Sequence, residues 1–190
     1  MCAAPHAKSF SRVPELLRHP DTPSRAVQAV TAEATRTAER KLALRYILRG
    51  DIRALRIPSP RPARIGWKLW RHTCCEVFLR EKGADAYHEL NFSPSAEWAA
   101  YSFARYRDGG PLIDDALNPQ IAVRSDEKQL ELSALVDLAR ISPPYPRAAL
   151  ALALSVVVEE ESGVLSYWAL RHAPGKPDFH HADAFALELA

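Results

Sequence analysis

The sequence predicts an all-β protein, folded as a two-sheet antiparallel β-sandwich of the jelly-roll type. Apolar residues recur at every second position in several segments, which is the period of a half-buried strand. Prolines cluster at residues 58–62, 143–146 and 174–177. Because proline lacks an N–H donor and restricts the residue before it, each cluster marks a connection between elements. The segments between the connections are short and number about nine, as expected for a sandwich.

The first half of the chain holds one clear strand and one ambiguous segment. Residues 41–49 alternate, with Leu42 and Leu44 on one face and Arg45 on the other. Residues 24–41 are rich in Ala, Glu, Arg and Gln and fit a helix with Ser24 as N-cap. The same residues also show strand-like alternation, so local propensity leaves helix and strand at even odds.

The centre of the chain predicts three strands in meander order, over residues 73–80, 87–92 and 98–106. Turns are expected at Gly83 and at residues 93–95. Strand alternation puts Glu76 on the face opposite Cys75. Gly109 and Gly110 predict a turn after the third of these strands.

The last third of the chain predicts further strands. Residues 129–136 alternate, and residues 150–159 are nearly all apolar with several valines, as in a central strand. Residues 164–170 follow the turn pair Ser162-Gly163 and predict the hairpin partner of 150–159. Residues 185–189 alternate once more.

Composition bounds the class of protein. At 190 residues, 47% of them hydrophobic and 25% charged, the chain has the size and makeup of a single globular domain over residues 1–190, with 1–15 loosely ordered. The net charge of +2 is too small for a nucleic-acid partner. No apolar run approaches the length needed to span a bilayer, and residues 1–10 lack a signal-peptide core. We therefore expect a cytoplasmic protein, and the oligomeric state stays open.

Two blocks of sequence carry a resemblance to a known family. The first runs WRHTCCEVFL over residues 70–79, YHELNFSPS over 87–95 and WAAY over 98–101. The second is SYWAL over 166–170 with GKPDFHH over 175–181. Together they resemble the bacterial DOMON-like family, which is similar to family 9 carbohydrate-binding modules and to haem- or sugar-binding DOMON domains. The resemblance implies a β-sandwich and favours strand for residues 24–41.

The resemblance also implies a non-catalytic module that binds a carbohydrate or similar polyol. Tryptophan offers a flat apolar face to a sugar ring, and carboxylate, amide and guanidinium groups bind its hydroxyls. By the resemblance, Trp70 and Glu76 correspond to the first ligand-binding Trp of the family 9 modules and its Glu. The further ligand-binding candidates, expected on the same grounds, are Trp168, Glu89, Asn91, Arg171 and His180. Each also fits a structural role, and Trp98 is expected in the core.

The alternatives to a carbohydrate-binding module are proteins of other functional classes. One is a haem-binding or electron-transfer DOMON domain, although the only Met is Met1 and no C-x-x-C-H motif is present. Another is a protein-interaction β-sandwich without a small-molecule ligand. Glu76 and Glu89 on neighbouring strands suit glycoside hydrolysis in principle, but nothing in the sequence marks either as an acid of raised pKa. We expect no catalytic residues, no metal, no cofactor, and a buried, unreactive Cys74-Cys75 pair.

The position of the candidate residues predicts one composite site. The loop 171–181 is dense in hydrogen-bonding groups and stiffened by two prolines. We expect Glu76, Glu89, Arg171 and His180 to share one polar cleft, walled by Trp70 or Trp168. The alternative is that an ion pair between Asp178 and an arginine merely fixes the loop.

Overall fold

The fold, taken from a computed structural model, is described for residues 13–190 and is all-β. Of the segment 1–15 that was expected to be loosely ordered, 1–12 lie outside the described residues, and Glu15 begins the first strand. The strands are β1 (Glu15–Arg18), β2 (Val27–Arg36), β3 (Lys41–Gly50), β4 (Arg64–Ile65), β5 (Cys74–Glu81), β6 (Tyr87–Phe92), β7 (Glu97–Arg105), β8 (Asp108–Pro111), β9 (Gln120–Ser125), β10 (Gln129–Asp137), β11 (Leu150–Glu159), β12 (Leu165–Ala169) and β13 (Leu187–Leu189).

Helix is scarce in the described residues. The α-helix α1 (Leu138–Ile141) has four residues, and the remaining helical elements are short 3-10 turns. Within residues 13–190 no helix has the length and apolar character needed to cross a membrane.

The strands form one continuous hydrogen-bonded path in the order β4-β7-β6-β5-β11-β12-β1-β2-β3-β10-β9, with β8 on β7 and β13 on β11. The expected pair of separate antiparallel sheets needs correction on two counts. Strand β1 pairs with β12 on one side and β2 on the other, and so joins the two halves. The β4–β7 pair is parallel, which makes the sheet mixed.

The sheet curls so that its two halves enclose the main core. Apolar residues of β2, β3 and β10 pack in one cluster with those of β5, β6, β7, β11 and β12. The hydroxyl of Tyr46 on β3 donates to the backbone oxygen of Glu76 on β5 at 2.8 Å, which joins the halves across that core. Trp98 is 2% exposed in this cluster, as the sequence predicted.

Residues 24–41 contain a strand, β2, and no helix. Strand β2 pairs with β3 over most of its length and with β1 on its other edge. These ladder contacts outweigh the local helix propensity, which is a small preference that tertiary pairing overrides. The hairpin of β11 and β12 is also confirmed, with Glu159 opposite Leu165.

The region around Gly109 differs from the prediction. It forms strand β8, which pairs with the end of β7, and not only a turn. A Cβ at Gly109 would lie 2.0 Å from the backbone oxygen of Ser102, so the close approach of the two strands requires glycine there.

Candidate functional site

The outer face of five neighbouring strands, β7, β6, β5, β11 and β12, carries the candidate site. Alternation along β5 directs Cys75 into the main core and Glu76 to this outer face. The strand register places Asn91 of β6 opposite Glu76 on one side and Ser155 of β11 opposite it on the other. We call Asn91, Glu76 and Ser155 the polar row.

The loop 171–181 packs over this face of the sheet. Phe179 of the loop is buried in a second apolar cluster with Phe78, Tyr87 and Phe103 of the strands. Burying a phenylalanine side chain contributes about 1.5–3 kcal/mol, so Phe179 anchors the loop to the sheet.

Polar contacts fix the same loop. Nη2 of Arg107 donates to Oδ1 of Asp178 at 2.7 Å, and the Tyr106 hydroxyl donates to Oδ2 at 2.7 Å. The hydroxyl of Tyr87 lies 2.8 Å from Nδ1 of His180. An ion pair between Asp178 and an arginine is therefore present, and that arginine is Arg107 in the turn between β7 and β8.

Between the loop and the strands lies a cleft of about 370 Å³, a volume within the usual range of small-molecule sites. Most of its walls are aromatic. The aromatic lining residues are Trp70, Phe78, Tyr101, Phe103, Tyr167 and Phe179. The polar lining residues are Glu76, Glu89, Arg107 and His180. The structure thus brings together Trp70, Glu76, Glu89 and His180 of the predicted site.

The polar row forms the base of this face. Glu76 is 2%, Asn91 0% and Ser155 1% exposed. Glu76 Oε1, Asn91 Oδ1 and Ser155 Oγ each find no hydrogen-bond partner among residues 13–190. A buried polar atom without a partner costs about 1–3 kcal/mol, so three in one row are a costly feature for a purely structural face.

Two carboxyl groups with raised pKa values lie in the cleft. Burial, and then the nearby charge of Glu89, raise the pKa of Glu76 well above its ordinary value. Burial raises the pKa of Glu89 to about 7, although Nδ2 of Asn91 donates to Glu89 Oε1 at 2.7 Å. The sequence marked neither carboxyl as perturbed. The raised pKa values could not be predicted from the sequence, because alternation shows which face a residue takes but not that loop 171–181 covers the face.

His180 adds a neutral ring to the cleft. Burial, and then the positive charge of Arg107, lower the pKa of His180 to about 4. Nε2 of His180 lies 3.6 Å from Oε2 of Glu89. Because the ring is neutral near pH 7, this contact is not an ion pair there.

Trp70 forms the exposed rim of the cleft. It lies in the 3-10 helix Leu69–Arg71, just before β5, and keeps 43% of its surface exposed. The guanidinium carbon of Arg71 lies 5.2 Å from the centroid of the Trp70 ring. A large apolar surface is thus held at the entrance, where a flat ligand can contact it.

Two predicted site residues lie elsewhere. Trp168 is 4% exposed in the main core, with its ring N–H donating to Oγ of Ser166 at 3.0 Å. Its neighbour Tyr167 lines the cleft instead, because adjacent strand residues point to opposite faces. Arg171 is exposed and does not line the cleft, and Arg107 supplies the guanidinium. Asn91 is in the polar row beneath the lining residues.

Sequence reasoning missed Tyr101, Tyr167, Arg107 and Ser155. A signal existed for three of them. Tyr101 lies opposite Glu89, Ser155 lies opposite Glu76, and Tyr167 follows from the hairpin register of β11 and β12. No local signal pointed to Arg107, whose role depends on the packing of loop 171–181.

Other candidate chemistry is limited. Within residues 13–190 no group of three or more His, Cys, Asp or Glu side chains is placed to hold a metal ion. Cys74 and Cys75 are buried free thiols, as predicted, and burial raises the pKa of both, so neither is an activated nucleophile.

Known proteins resemble this chain in fold and not in sequence. No family model and no curated protein matches the sequence. A candidate carbohydrate-binding protein from Bacteroides uniformis ATCC 8492 has a TM-score of 0.67 at 12% identity, over 94% of this chain and 84% of its own. A family 9 carbohydrate-binding module from Caldicellulosiruptor kristjanssonii is also similar. Its cellotriose complex gives a TM-score of 0.54 at 10% identity, over 93% of this chain and 81% of the module. Its glucose complex gives 0.51 at 10% identity, over 89% and 78%.

These comparisons place the chain in a class by fold. It has the all-β fold of family 9 carbohydrate-binding modules, at identities that show the fold alone. Membership of the DOMON-like family stays a prediction.

Proposed function

We propose that this chain is a non-catalytic module that binds a carbohydrate or a similar polyol in the cleft. The observation that carries the proposal is the polar row beneath an aromatic-walled cleft of about 370 Å³. A sugar ring presents apolar C–H faces and hydroxyl edges, and this cleft offers aromatic surface for the first and buried oxygen acceptors for the second.

In this proposal each side chain of the cleft has its own role in binding the ligand. Trp70 contacts a face of the ring from the rim. Glu76 and Glu89 accept hydrogen bonds from hydroxyls, and Asn91 holds the Glu89 carboxyl in place at 2.7 Å. His180, held by Tyr87, contacts the ligand from the loop side. The fold neighbours support this assignment, because one of them was solved with glucose and with cellotriose.

Glycoside hydrolysis is the second candidate. The observation that favours it is the raised pKa of both carboxyls, since a general acid at neutral pH needs such a pKa. The non-catalytic role is preferred because the fold neighbours are carbohydrate-binding proteins. Incubation with aryl glycosides decides between the two. Release of the aryl alcohol that Glu76→Gln abolishes would establish the hydrolase.

We further propose that the chain is a single cytoplasmic DOMON-like domain that binds no cofactor, no nucleic acid and no membrane. Support for a haem-free protein comes from the lining of the cleft, where His180 is the one histidine of residues 13–190, so two histidines do not meet there as axial ligands. A Soret band in protein expressed with ample haem would overturn this part of the proposal.

A thermal-shift screen against mono- and oligosaccharides, including glucose and cellotriose, tests the binding function. A saccharide at 100 times its Kd stabilises the fold by about 2.7 kcal/mol and raises Tm accordingly. Isothermal titration with the best saccharide then gives the affinity, and the Trp70→Ala variant tests the site. If no saccharide shifts Tm, the proposed function is wrong.

A further inference from the structure

The polar row contains more hydrogen-bond acceptors than there are free hydrogen-bond donors around it. Asn91 Oδ1 only accepts, and Glu76 Oε1 only accepts when its carboxyl is ionised. Both atoms are buried and have no partner among residues 13–190. Ser155 Oγ, on the other side of Glu76, has no partner at hydrogen-bond distance among these residues, but its hydroxyl can both donate and accept, and as a donor it lowers the pKa of Glu76 in part. The face therefore calls for a ligand group that donates several hydrogen bonds at one point.

Among residues 13–190, the positive side chains of the cleft do not pair with Glu76, although the charge of Arg107 lowers the pKa of Glu89 in part. Arg107 is held by Asp178 at 2.7 Å and, through Nε, by the Tyr106 hydroxyl at 3.3 Å. His180 is neutral near pH 7 because its pKa lies at about 4. Among residues 13–190, Glu76 has no ion-pair partner.

A buried carboxylate without a cation is costly, and the group stays protonated unless a positive charge arrives. A primary ammonium fits this need better than a hydroxyl, because it carries a positive charge and three donors where a hydroxyl offers one. Aromatic walls add to the preference, since a cation is attracted to the face of an aromatic ring.

We propose that the ligand of the cleft is an amino-bearing saccharide, whose ammonium group lies against the Glu76 carboxylate within the polar row. This inference rests on the proposed carbohydrate-binding function and narrows the class of ligand. Trp70 and Tyr167 contact the sugar ring, while the Glu76 carboxylate, which lines the cleft, accepts from the ammonium.

Proton release should accompany such binding. The raised pKa of Glu76 and Glu89 means that a share of these carboxyls is protonated near pH 7, and an ammonium at Glu76 drives the proton off. Other titratable groups lie near the two carboxyls, and Asp178 among them is paired to Arg107. The remainder are Tyr46, Cys74, Cys75, Tyr87, Tyr101, Arg107, Tyr167 and His180. Apart from Glu76 and Glu89 themselves, none of these groups is expected to change its charge near pH 7.

Isothermal titration at pH 7 compares glucosamine, galactosamine and mannosamine with glucose, galactose and mannose. We expect at least one amino sugar to bind about tenfold or more tightly than its parent, as a charge-assisted hydrogen bond allows. Titration in buffers of different ionisation enthalpy should show protons released for that amino sugar and none for its parent.

The Glu76→Gln variant keeps the size of the side chain and removes its charge. We expect the preference for the amino sugar to fall to less than about threefold in this variant. Glu131→Gln is the matched control, because Glu131 pairs with Arg45 on the β3–β10 half of the sheet, and it should keep the wild-type preference.

The outcomes separate the two proposals. Parent sugars that bind as tightly as every amino sugar would overturn this inference and leave the carbohydrate-binding function standing. Binding of methylammonium as tight as that of the amino sugar would overturn the saccharide part. If no amino sugar binds while the thermal-shift screen finds another saccharide, only this inference is wrong, and if neither experiment finds a ligand, both proposals are wrong.

Discussion

The carboxylate of Asp178 accepts from the guanidinium of Arg107 at 2.7 Å, and this contact joins loop 171–181 to the turn between β7 and β8. Asp178 also accepts from the Tyr106 hydroxyl and from the backbone N–H of His180. Burial opposes ionisation, but these hydrogen bonds lower the pKa of Asp178 overall. Asp178 thus holds the wall of the cleft that carries His180 together with buried Phe179 and the Tyr87 hydroxyl.

Asp178→Asn should loosen the loop without unfolding the sheet. We expect amide hydrogen exchange at residues 179–181 to accelerate, and the unfolding free energy to fall by about 1 kcal/mol, as for a partly exposed ion pair. Asp108→Asn, which breaks the more exposed pair of Arg105 and Asp108 in the same turn, should leave exchange in the loop unchanged. Equal acceleration in both variants would contradict the role given to Asp178.

Trp70→Ala should lower saccharide affinity about tenfold, because the variant loses the aromatic surface at the rim of the cleft. Since Trp70 is 43% exposed, its loss should change the unfolding free energy by less than about 1 kcal/mol. Trp67→Ala is the control, because Trp67 is exposed nearby in sequence and does not line the cleft. Titration calorimetry and urea unfolding measure the two effects, and loss of affinity in Trp67→Ala alone would contradict the site.

Tyr167 and Trp168 are adjacent, yet their substitutions should act differently. Trp168→Ala should cost about 3–5 kcal/mol in urea unfolding, because the ring is buried in the main core. Tyr167→Ala should cost much less and instead weaken saccharide binding, since its side chain lines the cleft. The reverse pattern would show that β12 presents its faces the other way round.

Glu89 should make stability fall as pH rises. In the folded state its pKa is about 7, against an ordinary value of 4.5, so the folded protein holds more protons than the unfolded chain between these values. Stability is therefore lost as pH rises through this window, by roughly 3 kcal/mol. Glu89→Gln should remove the part of the loss that belongs to Glu89, as measured by urea unfolding at pH 5 and pH 8, while Glu76, whose pKa is also raised by burial, keeps its own part.

His180 acts in the opposite direction and serves as the internal check. Its pKa of about 4 lies below the ordinary 6.5, so stability is lost as pH falls from 6.5 towards 4. In Glu89→Gln this acidic loss should persist. A pH profile of Glu89→Gln identical to that of the wild type would contradict the buried, protonated state of Glu89.

The strands that sequence reasoning located are those with strong alternation or β-branched runs, such as β3 and β11. Strands β1, β4 and β8 escaped it because they have four, two and four residues, too short to show a period. Their positions depend on partners distant in the chain. The joining of the two halves through β1 was missed for the same reason. Strand β9 escaped sequence reasoning as well, because its six residues are mostly exposed and carry little apolar pattern.

The candidate site was predicted where a residue's strand and face were both known, as for Glu76 and Glu89. Trp168 was named as a candidate without a face, because the strand was located but its register against β11 was not, and one residue of register decides the face. Arg171 was named because it follows Trp168 closely in the chain, whereas Arg107 reaches the cleft only through the packing of loop 171–181, for which the sequence holds no local signal.

Strand β1 joins the two halves of the sheet, and this affects the order in which the strands can pair during translation. Strand β1 is among the first parts of the described chain to leave the ribosome, yet Leu17 pairs with Ala169 of β12. Nearby, the N–H of Tyr167 donates to Thr22 across a separation of 145 residues. Contacts so distant in sequence close slowly and only after the intervening chain exists. Newly synthesised β2, β3 and β10 can pair with each other well before β12 emerges, so one edge of β1 stays open during most of translation and is a segment for a chaperone to shield.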